Sequence, residues 1–191
     1  KQSKPWPPWL AQEMRSNWAG ETGAVAIYRG CAAALHHVRG NEARRELESF
    51  VAEHVASEEA HLEAMSYVVS ESSERSWMPA TAFGWSLGYF SALLRGAHGM
   101  YVTTSAVESF VEEHYGSQIA RLHSELQADS CKPREAYVEL LKLLEAACAD
   151  EVHHKEDAQK RLASSETLSD KMQYALVYWG SSLGAAIAKR V

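Results

Sequence analysis

The sequence has little of what builds sheets, disulfide scaffolds or nucleic-acid surfaces. Its 191 residues include three cysteines, Cys31, Cys131 and Cys148, with no CxxC pair, so neither a disulfide framework nor a zinc ribbon is indicated. Nineteen Lys and Arg against 25 Asp and Glu give a net charge of −6 without a basic run, which argues against nucleic acid as a partner. No stretch alternates polar and apolar residues for long enough to predict a strand.

Proline is also scarce, and its few positions define where the chain cannot be helical. Three of the five prolines lie before Trp9. Proline lacks a backbone N–H and disfavours helix in the residue before it. We therefore expect residues 1–10 to form an extended lead-in and residues 11–191 to form a single domain, because a chain of this length builds one core.

Breaks rich in glycine, serine and proline divide the remaining sequence into six helical stretches. The predicted fold class is all-α, with a four-helix bundle of long amphipathic helices and two additional short apolar helices. The long helices are predicted near residues 12–38, 42–72, 98–127 and 133–163, and the short ones near residues 79–94 and 169–188.

The acidic residues are almost all glutamate, 21 Glu against four Asp, and nine histidines accompany them. Glutamate together with histidine suits transition-metal ligation. Glu58 and His61 lie on the apolar stripe of the second long helix, and Glu151 and His154 lie on that of the fourth. Residues three apart differ by about 60° around a helix, so each pair can converge on one point in the core.

The first and third long helices each place one glutamate inward, Glu21 and Glu108. Burying an unpaired carboxylate costs several kcal/mol, so four of them require positive compensation. One Glu from each of two helices, with a Glu-x-x-His from each of the other two, is the ligand set of carboxylate-bridged di-iron bundles. Composition alone yields about one Glu-x-x-His pair by chance, and a bundle with buried salt bridges remains the alternative.

The sequence resembles the demethoxyubiquinone hydroxylase family, the Coq7 or Cat5 proteins of ubiquinone biosynthesis, from about residue 15 to the C-terminus. The segments that carry the resemblance are Ala19-Gly20-Glu21 with Ile27-Tyr28, Glu58 to His61, Ala106-Val107-Glu108 with His114-Tyr115, and Asp150-Glu151 with His154. Asn17-Trp18 departs from the family pattern, which has an acidic residue or Asn followed by His. The resemblance implies a ferritin-like four-helix bundle.

The resemblance also implies a di-iron monooxygenase. Its ligands would be Glu21, Glu58 and His61 for one iron and Glu108, Glu151 and His154 for the other, with Glu58 and Glu151 bridging. Tyr115 is expected beside these ligands or in a substrate channel, with simple core packing as the alternative. The implied reaction places one oxygen atom of O₂ on the ring of a polyprenyl demethoxyubiquinone and releases the other as water, with electrons from NADH or the quinol.

Two uncharged stretches, residues 76–94 and 172–188, are near the minimum length for a membrane span. Because glycines and hydroxyl side chains interrupt them, we expect helices that lie in the membrane interface. The expected aromatic anchors are Trp77, Trp85, Tyr89, Tyr178 and Trp179. The alternatives are core helices or a dimer interface.

The resemblance further implies where the protein works and with what. It implies a peripheral membrane location, on the matrix side of the mitochondrial inner membrane or the cytoplasmic side of a bacterial inner membrane. Its implied partners are a polyprenyl quinone, a lipid-binding protein of a quinone-synthesis complex and further copies of the chain. The competing hypotheses are another ferritin-like di-iron oxygenase or ferroxidase, and a metal-free helical membrane adaptor.

Other polar residues are interpreted as surface or packing groups. We expect Glu59, Glu112 and Glu113 to be solvated, and His153 to face solvent or to lie just behind the metal ligands. His36 and His37 are expected to cap the first helix or to lie on the surface at its end.

Overall fold

The computed structural model describes residues 6–69, 71, 74–76, 78–128, 133–162 and 166–191 of the chain. Within these residues every regular element is a helix and there is no strand, which confirms the predicted all-α class. Trp77, one of the expected membrane anchors, and Cys131 lie outside the described residues.

The described residues form five helical runs. They are α1 (Pro8–Ala34), α2 (Asn41–Val68), α3 (Ala80–Gln127), α4 (Arg134–Arg161) and α5 (Leu168–Ala188), with a short 3₁₀ turn, Leu35–His37, after α1. The expected extended lead-in over residues 1–10 is therefore too long, because α1 already begins at Pro8. Proline is well suited to the first helical turn, where its missing N–H would have no helical partner and its φ is already fixed.

The longest run, α3, is two helices joined by a reversal at Gly96. This residue has φ 60° and ψ −146°, a conformation that favours glycine. Ser91 Oγ and Thr103 Oγ1 lie 2.8 Å apart, although twelve residues of continuous helix would separate them by about 18 Å. The first limb (residues 80–95) therefore folds back along the second limb (residues 97–127), which confirms the break expected between Arg95 and Gly99.

The first limb of α3 runs parallel to α1 and touches it backbone to backbone. A Cβ atom added at Gly84 would overlap the carbonyl oxygen of Gly23, and one added at Gly88 would overlap that of Ile27. Glycine thus brings the two helices closer than side chains would permit. This contact fixes the position of the α1 segment that begins at Glu21.

We expect the substitution Gly88→Ala to destabilise the protein, whereas Gly116→Ala should not. The new methyl group at residue 88 would force α1 and α3 apart, and overpacking of this kind costs about 1–3 kcal/mol. An added Cβ at Gly116, also helical, meets no atom within 4 Å, so alanine there should be neutral or stabilising by about 1 kcal/mol. Thermal unfolding monitored by circular dichroism compares the two variants. Equal melting temperatures would contradict the close packing.

The second limb of α3 runs antiparallel to α1 and completes a four-helix bundle with α2 and α4. Gln118 and Asn17 exchange two hydrogen bonds of 2.8 and 3.0 Å between their carboxamides, both buried. The bundle core is apolar, with large side chains that are essentially inaccessible to solvent. Examples are Leu10, Met14, Leu47, Phe50, Met65, Met100, Leu122 and Leu144.

Helix α5 packs beside the second limb of α3, and ionic contacts hold its first turn. Asp170 forms a capping box with Thr167, and its Oδ1 also accepts hydrogen bonds from Arg95 and from His98, the latter at 2.8 Å. At the other end of the helix, Lys189 forms a 2.7 Å ion pair with Glu13 of α1. Helix α5 is thereby held to α3 at its first turn and to α1 at its last turn.

The outer faces of α5 and of the first limb of α3 are apolar and exposed. Their exposed side chains include Phe83, Trp85, Phe90, Leu94, Met172, Leu176, Trp179 and Leu183. Trp85 and Trp179 are exposed as expected of anchors, whereas Tyr89 and Tyr178 are partly buried. This exposure contradicts the alternative that both are core helices. Among the described residues, no helix combines the length and the apolarity needed to cross a membrane.

Candidate metal centre

The six polar residues singled out in the sequence meet at one point inside the four-helix bundle. Each of them is buried. The most exposed, His61, has 8% of its surface accessible to solvent, and Glu58 has none. They come from all four bundle helices: Glu21 from α1, Glu58 and His61 from α2, Glu108 from α3, and Glu151 and His154 from α4.

These residues form two overlapping groups of donors, and within each group the nearest ligand atoms all lie within 4.8 Å of one another. One group is Glu21, Glu58, His61 and Glu151, and the other is Glu58, Glu108, Glu151 and His154. Glu58 and Glu151 belong to both groups, so each can reach two neighbouring positions. The arrangement is compatible with a di-iron site bridged by two carboxylates.

The imidazole of His61 is held in place from outside the cluster by Asp150. Its Nε2 lies 3.1 Å from Oδ2 of Asp150, and its Nδ1 lies 3.1 Å from Oε1 of Glu151 and 3.9 Å from Oε2 of Glu21. Because a carboxylate accepts hydrogen bonds, the proton of the neutral imidazole belongs on Nε2. Nδ1 then carries the lone pair towards the cluster, which is the arrangement found in carboxylate–histidine–metal triads.

His154 occupies the equivalent position in the other donor group. Its Nδ1 lies 3.2 Å from Oε1 of Glu58 and 3.3 Å from Oε2 of Glu151. Despite this proximity, no described residue makes a hydrogen bond of acceptable geometry with either oxygen of Glu58 or with Nδ1 of His61. Buried polar atoms without partners are rare and costly. Such atoms in a set of carboxylates and imidazoles fit a bound transition metal.

The four buried carboxyl groups of the cluster are too close together to be ionised all at once without a cation. Burial raises the pKa of Glu21 and of Glu108 well above normal, and the neighbouring carboxylates raise both further. Burial and the charge of Glu151 raise the pKa of Glu58 to about 7. At neutral pH the site therefore holds protons in place of the divalent cations that it could bind.

The two histidines and Glu151 form the ionised part of the cluster. Burial opposes protonation of both imidazoles, yet the adjacent carboxylates raise the pKa of His61 to about 10 and that of His154 to about 9. Burial also acts to raise the pKa of Glu151, but the two adjacent imidazoles of His154 and His61 outweigh it and lower that pKa to about 2. Metal binding must therefore displace protons from imidazole and from carboxylate.

Tyr115 lies directly beside the cluster, as the resemblance implies. Its hydroxyl donates a hydrogen bond to Oε1 of Glu21, and its side chain is 1% exposed. Burial, reinforced by the charge of Glu21, raises the pKa of Tyr115 well above normal, so the phenol keeps its proton. Tyr115 thus orients the Glu21 carboxylate.

Sequence reasoning missed a further group of residues next to His154. The ring of buried His54 meets that of His154 edge to face at 4.7 Å between centroids, and its Nε2 lies 3.5 Å from Asp157. His54, Asp157 and Glu53 form a third cluster of side chains that could bind a metal. Arg161 already pairs with both carboxylates of this cluster. One helical turn separates His54 from Glu58, a signal that could have identified it.

The glutamates set aside in the sequence are paired at the surface. Glu59 pairs with Arg29 at 2.8 Å, Glu112 pairs with Lys155, and Glu113 accepts a 2.6 Å hydrogen bond from Tyr178. The exposed histidines among the residues set aside are His36, His37 and His153. None of these residues belongs to either donor group of the cluster.

A largely apolar pocket of about 680 Å³ leads to the cluster. It lies between α1, the two limbs of α3, and α5, and its inner end includes Glu21, Glu108, Tyr115 and Glu151. Its walls are aliphatic, aromatic and glycine residues. They include Gly20, Gly23, Ile27, Phe83, Gly84, Leu87, Val107, Phe110, Val111, Leu176 and Leu183. Such a cavity fits an apolar ligand that presents a reactive group to the cluster.

Known proteins similar to this chain carry names from one pathway. The mitochondrial NADPH-dependent 3-demethoxyubiquinone 3-hydroxylase of Caenorhabditis elegans is 32% identical over 148 residues, which cover 74% of this chain and 69% of the worm protein. The protein of the same name from Dictyostelium discoideum is 30% identical over 113 residues, 58% of this chain and 48% of that protein.

A bacterial relative extends this similarity. The 3-demethoxyubiquinol 3-hydroxylase of Rhodospirillum rubrum is 34% identical over 113 residues, 57% of this chain and 50% of that protein. The matched segments thus span about half the length of two of these three relatives. A family model described as "Ubiquinone biosynthesis protein COQ7" matches residues 8–188, nearly the whole chain. The resemblance noted in the sequence is confirmed, and the chain belongs to the COQ7 family of ubiquinone biosynthesis proteins.

Proposed function

We propose that this protein is a di-iron monooxygenase that hydroxylates the ring of a polyprenyl demethoxyubiquinone, or its quinol, in ubiquinone biosynthesis. The observation that carries the proposal is the apolar pocket of about 680 Å³ that ends on the buried carboxylate–histidine cluster. The names of the relatives in the same family supply the reaction class.

Six side chains would hold the metal. Glu21 and His61 would bind one iron, Glu108 and His154 the other, and Glu58 and Glu151 would lie between the two. Four carboxylates balance the charge of two divalent cations, so two such cations would take the place of the protons that the cluster otherwise holds. When bound, two iron ions would supply the reduction and cleavage of O₂ that gives the ring one oxygen atom and water the other.

The remaining residues at the site bind and orient. The pocket walls would take an aromatic ring and the start of an isoprenoid tail, and their apolar character excludes water from the inner end. Asp150 fixes the tautomer of His61, and Tyr115 fixes the carboxylate of Glu21. Two electrons are needed in each turnover, and we assign them to a reduced nicotinamide or the quinol; two relatives' names specify NADPH.

The proposed location is the membrane surface where the substrate resides. The helices that wall the pocket, α5 and the first limb of α3, are the same ones that expose apolar side chains outward. A lipid-soluble quinone can then pass from the bilayer into the pocket without crossing water. We assign the protein to the matrix side of the mitochondrial inner membrane, or the cytoplasmic side of a bacterial one, where a lipid-binding partner and further copies of the chain can join it.

Oxygen incorporation tests the proposed reaction. The chain, loaded anaerobically with ferrous iron, is given a demethoxyubiquinone with a short isoprenoid tail, a reductant and ¹⁸O₂. We expect about two irons per chain and a hydroxylated ring that is 18 mass units heavier, because it retains one ¹⁸O atom. A product without the label, or no product from the iron-loaded protein, would refute a monooxygenase.

Vesicle flotation tests the membrane proposal. We expect the chain to float with vesicles containing anionic lipid, and the triple variant Phe90→Ser, Leu94→Ser, Trp179→Ser to bind at least tenfold less. Each of these exposed side chains contributes about 1.5–3 kcal/mol when it leaves water. Tyr67→Ser, on the exposed end of α2, is the matched control. If both variants bind vesicles equally and only the triple variant fails to form a dimer, the exposed apolar surface is a dimer interface instead.

The site argues against two of the competing hypotheses, a ferroxidase and a metal-free adaptor. A ferroxidase handles hydrated iron and has no use for an apolar pocket that reaches the cluster. A metal-free adaptor would have to bury four carboxylates and leave the oxygens of Glu58 without partners, at a cost of several kcal/mol.

A further inference from the structure

His114 is a polar residue of the pocket whose ring has no strong partner among the described residues. Ser16 donates to the carbonyl of Ala185 at 3.2 Å, and Tyr115 donates to Glu21. Asn17 is occupied by its carboxamide exchange with a neighbouring helix. His114 lines the same pocket, yet its Nε2 makes no hydrogen bond.

The ring of His114 is held in a fixed position. It stacks on Phe110 with 5.3 Å between centroids and an interplanar angle of 21°. Its Nε2 is shielded from solvent and lies 3.5 Å from Oε2 of Glu13, which already binds Gln118 and, through its other oxygen, Lys189. Because His114 lines the pocket, its imidazole keeps hydrogen-bonding capacity that a ligand there can use.

His114 lines the pocket and also lies beside Tyr115, which contacts the cluster. It is the residue before Tyr115, with 6.5 Å between the two ring centroids, and the hydroxyl of Tyr115 reaches the cluster at Glu21. A six-membered ring seated against the cluster would therefore have His114 within reach of a substituent on its edge.

Burial lowers the pKa of His114 to about 4, against the opposing charge of Glu13. The imidazole is thus neutral at physiological pH and offers one N–H donor and one lone pair. A neutral group of this kind can pair with a quinone carbonyl or a quinol hydroxyl without placing a charge in an apolar pocket.

We propose that His114 is the residue that recognises the substrate ring, through a hydrogen bond from its imidazole to a ring oxygen that orients the ring towards the cluster. This inference rests on the proposed function, because it assumes a quinone or quinol in the pocket. His114 is a substrate-positioning residue, and the apolar walls bind the tail without distinguishing one isoprenoid from another.

Equilibrium binding to the metal-free chain tests the proposal with two probes. One probe is a demethoxyubiquinone with two isoprene units, and the other is an isoprenoid hydrocarbon of matched length without the ring. The variants are His114→Phe, His114→Gln, and His123→Phe as control, since His123 is an exposed histidine on the same helix. Quenching of tryptophan fluorescence reports binding of the quinone, and competition reports binding of the hydrocarbon.

We expect His114→Phe to weaken quinone binding about three- to tenfold, as loss of one hydrogen bond predicts, and to leave hydrocarbon binding unchanged. His114→Gln should retain part of the affinity, and His123→Phe all of it. Unchanged quinone binding in His114→Phe, or equal loss for both probes, would overturn the role of His114. Failure of the wild-type chain to bind the quinone at all would instead remove the proposed function.

A second measurement uses the wild-type chain, so its result does not depend on whether a substituted protein folds. In the wild-type chain labelled with ¹⁵N-histidine, addition of the quinone should shift a ring-nitrogen resonance of His114, and addition of the hydrocarbon should not. Absence of that shift at saturating quinone would contradict the hydrogen bond. In the iron-loaded enzyme, His114→Gln should raise KM more than it lowers kcat.

Discussion

Glu151→Ala is expected to leave a folded protein that binds neither iron tightly and forms no detectable hydroxylated quinone. Glu151 belongs to both donor groups, and its carboxylate contacts both histidines, with Oε1 3.1 Å from His61 and Oε2 3.3 Å from His154. Removing it takes a ligand from both metal positions at once. The loss of activity should exceed about 10³-fold, because the oxidant itself depends on the metal pair.

The stoichiometry of metal binding gives this prediction its control. Glu21→Ala removes a ligand from only one donor group, so anaerobic titration with ferrous or cobaltous ion should still show one tight equivalent. Glu145→Ala removes an exposed carboxylate of α4 that pairs with His123, and it should bind two equivalents and retain full activity. Two tight equivalents and full activity in Glu151→Ala would exclude this cluster from the reaction.

A second large effect concerns stability, which in the metal-free protein should fall as the pH rises from 6 to 9. Burial and like charge raise the folded-state pKa of Glu58 to about 7 and those of Glu21 and Glu108 well above normal. A carboxyl with a raised pKa binds more protons in the folded than in the unfolded state. Its contribution to stability is full below the unfolded pKa, near 4.3, and is lost as the pH rises through the folded pKa.

The two histidines act in the same direction. Their folded-state pKa values, about 10 for His61 and about 9 for His154, lie above the unfolded value near 6.5. The stability they contribute is full below pH 6.5 and is lost towards pH 9–10. We expect the melting temperature of the metal-free protein to drop by about 5–10 °C between pH 6 and pH 9, and divalent metal to stabilise more strongly at the higher pH.

Glu108→Gln separates this effect from other causes. The substitution keeps the shape of the side chain and removes a buried carboxyl whose ionisation opposes folding as the pH rises. At pH 8 the metal-free variant should therefore melt at a higher temperature than the wild type, while gaining less from added metal. Scanning calorimetry with and without metal measures both. A metal-free variant that melts below the wild type would show that the carboxylates do not oppose folding.

The cluster could be predicted because its evidence is local. Glu58 and His61 lie on a stripe that the helical period defines, and so do Glu151 and His154, so each pair could be read from one helix alone. The prediction also assumed that the four helices bring these residues together. In the structure they do lie together, in two overlapping groups. The break at Gly96 was equally visible, because glycine interrupts a helical pattern.

What the sequence did not reveal depends on contacts between distant segments. Nothing local to Gly96 indicates that the chain reverses there rather than bends, since the evidence is the contact between Ser91 and Thr103. The position of His54 against His154 depends on how α2 packs on α4. The pocket likewise needs the placement of α5, which contacts with Asp170 fix. Periodicity describes which face of a helix is buried, but not which neighbour covers it.

The backbone contact between α1 and the first limb of α3 also limits how the enzyme can be redesigned. Gly23 and Gly84 line the pocket where the two main chains touch. No side chain there can be shortened to admit a bulkier ring, so substitution can only narrow that dimension. Leu176 and Leu183 of α5, which also line the pocket, carry side chains that can be shortened. Variants selected to accept larger quinones should therefore carry their changes on α5, with the glycine positions retained.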